Sequence, residues 1–165
     1  MLEKVNNHGV VIDADALNLF SQNSYLLKKL PKNSILTPHV GEFERLFGKC
    51  SDGFDRLQKQ MEKSSELQVI IILKGAYTSI ANPNGTLFFN TSGNPGMATG
   101  GSGDVLTGVI TALLAQGYPP DTAAVLGVYI HGLSGDICKT EIGEEAMIAS
   151  DIVEHLGYAF KSLEK

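Results

Sequence analysis

The chain of 165 residues contains no tryptophan, only two cysteines and fewer basic than acidic residues. Its formal net charge of −5 argues against nucleic acid as a partner, because binding to a phosphate backbone needs clustered lysine and arginine. Cys50 and Cys138 fit no metal-binding or redox spacing, so two free thiols in a reducing cytoplasm are expected. Since no apolar run is long enough to span a bilayer, a membrane partner is not expected either.

A composition of 43% hydrophobic and 19% charged residues, with 18 glycines, is typical of a globular protein with many turns. Continuous apolar runs at residues 10–12, 34–36 and 69–73 predict buried strands, and residues 78–89 predict a β-hairpin. The segments between the runs have helical spacing, which predicts a three-layer α/β fold with a largely parallel sheet. We expect residues 1–165 to form one domain.

The helices are predicted from the spacing of their apolar residues. One helix begins near Gly41 and ends at Gly48, and an amphipathic surface helix follows over residues 53–67. Residues 123–133 are apolar on nearly every side, which predicts a wholly buried helix. The last helix is predicted to be capped by Ser150 and to bury the apolar side chains Ile152, Val153, Leu156, Phe160 and Leu163.

A glycine-rich stretch, Gly100-Gly101-Ser102-Gly103-Asp104, stands directly before apolar residues at helical spacing. It predicts a helix start, where free backbone N–H groups and the helix dipole favour an anion such as phosphate. Neither a GxxxxGK loop nor a GxGxxG dinucleotide fingerprint is present, and an ordinary helix start is the competing interpretation. Asp104 would repel phosphate here unless it had another task, such as accepting a proton.

Polar residues follow the predicted strands at their carboxyl ends, where parallel sheets bind ligands. Asp13, Asp15 and Asn18 follow the first strand and suit a metal ion or substrate hydroxyls, although aspartates here also cap helices. Lys74 follows the third apolar run and suits either the charge of a nucleotide or simple solvation. This edge of the sheet is therefore a candidate binding site.

Three further polar residues, His39, Glu42 and Asn94, have a functional and a structural interpretation each. His39 and Glu42 are three residues apart at the start of a helix, which suits a functional pair or a cap with a surface pair. Asn94 lies in a loop of turn-forming residues, for which turn chemistry alone is a sufficient explanation. His131 is expected to be a core residue on a buried helix, and nothing points to a role for His155.

Six segments of the chain match one family in order along the sequence. They are residues 11–18, 36–42, 73–75, 90–98, 100–106 and 149–151. Together they resemble the ADP/ATP-dependent NAD(P)H-hydrate dehydratases, a carbohydrate-kinase-like branch of the ribokinase fold that repairs hydrated nicotinamide cofactors. The patterns TPHxGE and GNPxMAxGGxGDVL distinguish this family from most sugar and vitamin kinases, which share only the GxGD core.

The resemblance implies a role for each matching residue. Asp104 is implied to be the catalytic base, while the backbone amides of residues 101–103 stabilise a transferring phosphate. The residues implied to bind the hydrated NADH or NADPH are His39, Asp104, Asn94, Asp15 and Asn18. Those implied to bind the adenine nucleotide are Lys74, Gly75, Ala76, Tyr77, Thr78, Gly100, Gly101, Ser102 and Gly103. Glu42 is implied to organise Mg²⁺ through water.

The implied reaction uses ADP or ATP as a co-substrate, together with Mg²⁺. Phosphorylation of the ring hydroxyl of the hydrate is followed by loss of phosphate, which restores NADH or NADPH. Two other functions stay open on the sequence: a kinase of the same fold acting on a sugar or vitamin precursor, and a nucleotide-binding module without activity. Net consumption of ATP with a stable phosphorylated product distinguishes the kinase from the dehydratase.

The chain departs from the family in its N-terminal part. Family members have a long portion before the segment that matches residues 11–18, and it contributes further strands, helices and part of the substrate pocket. The resemblance therefore covers only the C-terminal part of a ribokinase-like domain, and the sheet is expected to be incomplete on its N-terminal side. The expected partner is a second copy in a homo-oligomer, or a chain that supplies the absent part.

Overall fold

Residues 9–164, which the computed structural model describes, form an open sheet of five strands. The strands are β1 (Val11–Ile12), β2 (Ile35–Leu36), β3 (Ile70–Leu73), β4 (Ser79–Ala81) and β5 (Leu87–Phe89), and they pair in this order. β1, β2 and β3 are parallel, whereas β3, β4 and β5 are antiparallel. The predicted strands and hairpin are confirmed, but the sheet is mixed rather than largely parallel, because both strands of the hairpin join it in antiparallel pairs.

Six α-helices occupy this part of the chain. They are α1 (Ala14–Gln22), α2 (Val40–Phe47), α3 (Gly53–Leu67), α4 (Ser102–Ala115), α5 (Pro120–Ile142) and α6 (Ala149–Lys161). Short 3-10 helices cover Ser24–Lys29 and Pro95–Met97. The predicted helix between Gly41 and Gly48 corresponds to α2, and the predicted surface helix has the bounds of α3.

Alternate residues of β3 face opposite sides of the sheet, as strand geometry requires. Ile71 and Leu73 lie in one core with apolar residues of α1 and α2. Ile70 and Ile72 lie in a second core with apolar residues of α4 and α5. Because both faces are covered by helices, the predicted three-layer α/β fold is confirmed.

Helix α3 is attached to the sheet by polar side chains. Nε2 of Gln60 donates a hydrogen bond of 2.8 Å to the carbonyl of Ile71, and its Oε1 accepts one of 2.7 Å from Oγ of Ser79. Ser64 donates to the carbonyls of Val69 and Ala81. Both Gln60 and Ser64 are fully buried, so their hydrogen bonds offset the cost of removing them from water.

Helix α5 is longer and less buried than the sequence predicts. It spans Pro120–Ile142, and the side chain of Tyr129 is 39% exposed. The prediction of a wholly buried helix was wrong because α5 packs against α4 and α6 and leaves part of its surface to solvent. None of the helices in residues 9–164 is long and apolar enough to cross a membrane.

Helix α6 begins one residue before its predicted cap. Asp151, rather than Ser150, closes the first turn, because its carboxylate accepts a hydrogen bond of 2.8 Å from the backbone N of Ile148. The buried face of α6 passes through residues 152, 155 and 159, so residues beside this stripe point to solvent. Val153 and Phe160, which were predicted to be core residues, are therefore exposed. Leu163 was predicted in the core too, but it lies beyond the end of α6 and is also exposed.

Two helical glycines are expected to respond in opposite ways to alanine. An added Cβ at Gly127 of α5 would lie 2.7 Å from Cγ1 of Ile110 in α4, so Gly127→Ala is expected to lower the free energy of unfolding by about 1–3 kcal/mol through overpacking. Gly157 of α6 has open space at this position, so Gly157→Ala is expected to raise it by about 0.5–1 kcal/mol. Urea denaturation measures both, and stabilisation by Gly127→Ala contradicts the close contact of α4 with α5.

Candidate active site

The glycine-rich stretch opens helix α4, as predicted. α4 starts at Ser102, and the preceding Gly101 has a φ of 90°, in the left-handed region that favours glycine. Ser102, Gly103 and Asp104 form the first turn, where backbone N–H groups and the helix dipole favour an anion. Ser102 is buried and Asp104 is exposed. The helix start therefore presents a carboxylate to solvent beside a turn suited to phosphate.

Asp13, at the end of β1, binds Lys74 rather than capping α1. Its Oδ1 lies 2.8 Å from Nζ of Lys74, and its Oδ2 accepts a hydrogen bond of 2.8 Å from Oγ1 of Thr107 in α4. Burial would raise the pKa of Asp13, but the hydrogen bond and charge of Lys74 and the hydrogen bond of Thr107 hold it below its ordinary value. The carboxylate of Asp13 is thus ionised, and both of its oxygens are bound by side chains of the protein.

Lys74 lies beside the first turn of α4. A Cβ atom added to Gly103 would be 3.3 Å from Nζ of Lys74 and 3.8 Å from Oδ2 of Asp13, so the absence of a side chain at Gly103 makes room for the ammonium group. The backbone N of Lys74 donates a hydrogen bond of 2.9 Å to the carbonyl of Pro38, which joins the ends of β2 and β3. The structure therefore brings together the lysine and the glycine-rich stretch that the sequence predicts as one nucleotide site.

The remaining predicted nucleotide-binding residues form the connection from Lys74 to β4. Gly75, Ala76 and Tyr77 are exposed, and the ring of Tyr77 is 75% exposed. Oγ1 of Thr78 donates a hydrogen bond of 3.1 Å to the carbonyl of Gly75, which closes the turn. This turn leaves the same edge of the sheet as Lys74, and its contact with a nucleotide stays a prediction.

His39 and Glu42 cap helix α2. Nδ1 of His39 accepts hydrogen bonds from the backbone N atoms of Gly41 (3.0 Å) and Glu42 (3.3 Å), and Oε2 of Glu42 accepts one of 2.8 Å from the backbone N of His39. Because Nδ1 is an acceptor, the ring proton is assigned to Nε2. The cap interpretation is thus confirmed. Nε2 of His39 lies 3.6 Å from Oε1 of Glu42, and a role of this exposed side chain toward substrate stays a prediction.

Asp15 and Asn18 lie on α1, directly after β1. Asp15 is in the first turn and exposed, and Asn18 follows three residues later, so the two are neighbours along one side of the helix. Their backbone position at the carboxyl end of β1 is the predicted one. Their contact with substrate stays a prediction.

Asn94 is bound within the protein through both ends of its side chain. Nδ2 donates a hydrogen bond of 3.0 Å to Oδ1 of Asp136 in α5, and Oδ1 accepts one of 3.1 Å from the backbone N of Gly96. Oδ2 of Asp136 also accepts a hydrogen bond of 2.8 Å from the backbone N of Gly93. Sequence reasoning did not identify Asp136. The only sequence signal for it is that it follows Gly132 and Gly135 in a helix, and helices in general disfavour glycine.

His131 of α5 contacts the glycine-rich stretch. Its Nε2 lies 3.3 Å from Oγ of Ser102. Burial lowers the pKa of His131 to about 4, so the ring is neutral near pH 7. His131 is half-buried rather than a fully buried core residue. The expectation of a core histidine also omits the contact with Ser102, which depends on how α5 crosses α4.

The stability of the protein is expected to depend on His131 between pH 6.5 and about 4, the ordinary and folded-state pKa values. The unfolded chain binds a proton in this range and the folded protein does not, so the contribution is complete above pH 6.5. It decreases as the pH falls, by up to about 3 kcal/mol at pH 4. Urea denaturation at several pH values measures the slope.

The matched control is His131→Gln, which keeps a polar partner for Ser102 but does not titrate. Its stability relative to wild type should therefore improve by about the same amount as the pH falls, because only the wild type loses this contribution. His155, whose pKa is raised by its hydrogen bonds to the carbonyl of Asp151 and the carboxylate of Glu141, titrates in both proteins and cancels. Parallel stability curves would contradict the burial of a neutral His131.

No group of three His, Cys, Asp or Glu side chains in the part of the chain that the structure describes is placed to hold a metal ion. Glu42 is 7% exposed, and one of its oxygens already accepts a hydrogen bond from His39. Mg²⁺ commonly binds one or two carboxylates, water and the phosphates of a substrate. The residues therefore fit an ion held mainly by a nucleotide, with Glu42 as a partner through water.

The fold and the site together define the class of protein. The mixed α/β sheet covered on both faces by helices is a fold that this chain shares with solved ribokinase-like proteins. A solved ribokinase-like protein from Enterococcus faecalis aligns with 95% of this chain and 54% of its own, at a TM-score of 0.78 and 32% identity. Hydroxyethylthiazole kinase from Pyrococcus horikoshii shares the fold at a TM-score of 0.72 and 16% identity.

A family model described as NAD(P)H-hydrate dehydratase matches residues 1–157. The chain belongs to this family. The bifunctional NAD(P)H-hydrate repair enzyme of Moorella thermoacetica is 45% identical over 94% of this chain and 30% of its own length. The ADP-dependent (S)-NAD(P)H-hydrate dehydratase of Neisseria meningitidis is 40% identical over 87% of this chain and 50% of its own.

A solved ADP/ATP-dependent NAD(P)H-hydrate dehydratase from Bacillus subtilis, co-crystallised with ATP and Mg²⁺ and soaked with CoA, aligns at a TM-score of 0.78 and 34% identity. The alignment covers 94% of this chain and 57% of the Bacillus chain. The present chain thus spans between 30% and 57% of the Moorella, Neisseria and Bacillus proteins. The family model's match over residues 1–157 includes every candidate site residue named above.

Proposed function

We propose that this chain binds an adenine nucleotide and takes part in the nucleotide-dependent dehydration of hydrated NADH or NADPH. The observation that supports this most is the position of Nζ of Lys74 beside the first turn of α4, which also presents the exposed Asp104. A lysine ammonium and a helix N-terminus stabilise a transferring phosphoryl group, and a carboxylate accepts a proton. Family membership supports a hydrated nicotinamide ring as the phosphate acceptor.

In the first step, the oxygen of the ring hydroxyl forms a bond to the terminal phosphorus of the nucleotide. Asp104 takes the proton of that hydroxyl at the same time. The bond from that phosphorus to the bridging oxygen breaks, which leaves AMP from ADP, or ADP from ATP. The backbone amides of residues 101–103 and the ammonium of Lys74 stabilise the negative charge on the phosphoryl group. His39 donates a hydrogen bond from Nε2 to the hydrate and so orients it.

In the second step, the carbon–oxygen bond of the phosphorylated ring breaks and phosphate leaves with the bonding electrons. A proton is lost from the neighbouring ring carbon, and the ring double bond of NADH or NADPH is restored. Phosphate is a far better leaving group than hydroxide, and this explains why a kinase fold serves a dehydration.

Mg²⁺ fits this proposal as a companion of the nucleotide. When bound, it neutralises charge on the phosphate oxygens. Glu42 would contribute its carboxylate through water, while its hydrogen bond to the backbone of His39 keeps it at the start of α2. The ATP and Mg²⁺ of the Bacillus structure support Mg²⁺ as the companion of the nucleotide.

We propose further that additional protein completes the substrate pocket. β1 is an edge strand of the described sheet, and the relatives are two to three times as long as the aligned part. Another part of the same protein, or a second copy, would pair beside β1. Nucleotide binding then depends on residues of this chain, whereas turnover also depends on the added part.

The cysteines support the cytoplasm as the place of action. Cys50 and Cys138 are both free thiols. Cys138 is fully buried, and burial raises the pKa of its thiol, so this thiol is unreactive. Two free thiols suit a reducing compartment.

The experiment uses this chain together with the protein part that completes its pocket, and measures the recovery of NADH from hydrated NADH with Mg²⁺ and either ADP or ATP by the absorbance of the reduced ring. We expect nucleotide-dependent recovery with one phosphate released per NADH, and none without nucleotide. ADP binding by calorimetry without recovery supports a nucleotide-binding module instead. Accumulation of a stable phosphorylated product supports a kinase, and either result contradicts the proposed function.

A further inference from the structure

Helix α5 holds the loop that precedes the glycine-rich stretch. The carboxylate of Asp136 accepts hydrogen bonds from the backbone N of Gly93 at 2.8 Å and from Nδ2 of Asn94 at 3.0 Å. The hydroxyl of Ser92 donates a hydrogen bond of 3.0 Å to the carbonyl of Tyr129. Three consecutive loop residues are therefore bound to one helix that is distant in sequence.

Two glycines of α5 allow this close approach. A Cβ atom at Gly132 would overlap Oγ of Ser92, and one at Gly135 would overlap Sδ of Met97. A larger residue at Gly132 would have to displace the backbone of the loop, whereas one at Gly135 would have to displace the side chain of Met97. The loop thus lies directly against the backbone of α5, and Asp136 is the charged group that fixes its orientation.

The loop continues into the first turn of α4. Oδ1 of Asn94 accepts a hydrogen bond from the backbone N of Gly96, and the backbone N of Ser102 donates one of 3.3 Å to the carbonyl of Thr99. His131, one and a half turns before Asp136 on α5, contacts Ser102 from the same helix. His131 therefore attaches the start of α4 to α5 separately from Asp136, so a displacement of residues 93–96 leaves the phosphate-binding turn of α4 held in place.

We propose that Asp136 is a positioning residue that fixes Asn94 and the turn over residues 93–96 as one wall of the pocket for the hydrated nicotinamide. This inference rests on the proposed function, because it assigns the turn to the substrate side of the site. Asn94 then acts through its place in the turn, since Asp136 and Gly96 bind both ends of its side chain. The nucleotide turn after Lys74 is a separate segment of the chain, so nucleotide affinity is independent of Asp136.

The test exchanges the two partners. In Asp136→Asn the new amide has one oxygen for two donors, so its NH2 group faces either Nδ2 of Asn94 or the backbone N–H of Gly93, donor against donor. In Asn94→Asp two carboxylates face each other. The double variant Asn94→Asp with Asp136→Asn restores a donor opposite an acceptor and keeps acceptors for Gly93 and Gly96. A double-mutant cycle over these four proteins separates the interaction between residues 94 and 136 from the effect of each substitution alone.

Each single variant is expected to raise the KM for hydrated NADH by about ten- to a hundredfold, because a displaced wall misplaces the substrate. Hydrogen exchange of the Gly93 amide is expected to accelerate by about tenfold or more when its charged acceptor is lost or repelled. The double variant should return both quantities to within about threefold of wild type. The dissociation constant for ADP should stay unchanged in all four proteins.

Asp121→Asn, which removes the same charge at the opposite end of α5, is the matched control and should change none of these quantities. A double variant that recovers Gly93 protection but keeps the high KM shows that Asn94 contacts the substrate itself, and overturns the inference. Loss of protection without any change in KM overturns it as well. If the wild-type protein restores no NADH at all, the proposed function fails. The hydrogen-exchange data still test whether Asp136 fixes the turn over residues 93–96.

Discussion

Asp104→Asn is expected to lower the rate of NADH recovery by about a hundred- to ten-thousandfold, the usual contribution of a general base. Asparagine has nearly the same shape but accepts no proton at neutral pH. Because the residue lies exposed in the first turn of α4, the fold loses only about 0.3–1 kcal/mol of favourable interaction with the helix dipole. The variant should therefore stay folded and bind ADP with a dissociation constant within a few-fold of wild type.

The matched control for Asp104 is Asp121→Asn, since Asp121 is the acidic residue in the first turn of α5. This variant loses the same charge at the same kind of helix position but should keep wild-type turnover. Steady-state rates and ADP calorimetry on the three proteins make the comparison. Equal rates for Asp104→Asn and wild type would show that another group takes the proton.

Lys74→Met is expected to weaken ADP binding by about ten- to a hundredfold, because it removes the ammonium group beside the helix start. It should also lower the free energy of unfolding by about 2–4 kcal/mol, somewhat less than for a fully buried pair. The side chains of Lys74 and Asp13 are 21% and 9% exposed, so Asp13 is left with little water to replace its partner. Calorimetry and urea denaturation measure the two effects separately.

Asp13→Asn separates affinity from stability at this pair. It leaves Lys74 charged beside the phosphate site, so ADP should bind at least as tightly as to wild type. Lys63→Met, which breaks a surface pair with Glu66, should alter stability by less than about 1 kcal/mol. If Asp13→Asn weakens ADP binding as much as Lys74→Met, the ammonium group is not the group that binds phosphate.

The pH dependence gives a second check on Lys74→Met. In wild type the pKa of Asp13 is held below 3.8, so its stabilising contribution is complete above that pH and is lost as the pH falls below it. In Lys74→Met, burial without the lysine raises the pKa of Asp13, so Asp13 is protonated at a higher pH than in wild type. Once Asp13 is protonated, the variant no longer holds an unpaired buried charge, and its loss of stability relative to wild type becomes smaller. The difference between the two stability curves should therefore narrow toward acid pH.

Much of the fold could be predicted because its signals are local. Each apolar run became a strand, and the turn residues between 82 and 85 marked the hairpin. The glycine-rich stretch marked the start of α4, since a left-handed φ at Gly101 is a property of one residue and its neighbours. The position of Lys74 at the binding edge followed from the rule that the carboxyl ends of parallel strands share one edge, whereas its joint position with Gly103 was implied only by the family resemblance.

The rest depends on contacts between segments far apart in sequence. The pairing of Asp13 with Lys74 and the hold of Asp136 on Asn94 are set by how β1, β3 and α5 are placed in space. The errors in α6 have the same origin, because the exposure of Val153 and Phe160 depends on which side of the helix meets α4 and α5. Helical spacing shows that an apolar face exists but not how wide the contact is.

The central claim, that phosphate leaves with the hydroxyl oxygen of the substrate, is tested most directly by isotope transfer. Hydrated NADH with ¹⁸O in its ring hydroxyl is supplied with unlabelled ATP and Mg²⁺, and the products are examined by mass spectrometry. Phosphorylation through the site formed by Asp104, Lys74 and the start of α4 predicts that the label is recovered in inorganic phosphate, with one labelled phosphate per NADH. Recovery of the label in water would contradict the account, because the hydroxyl would then have left without being phosphorylated.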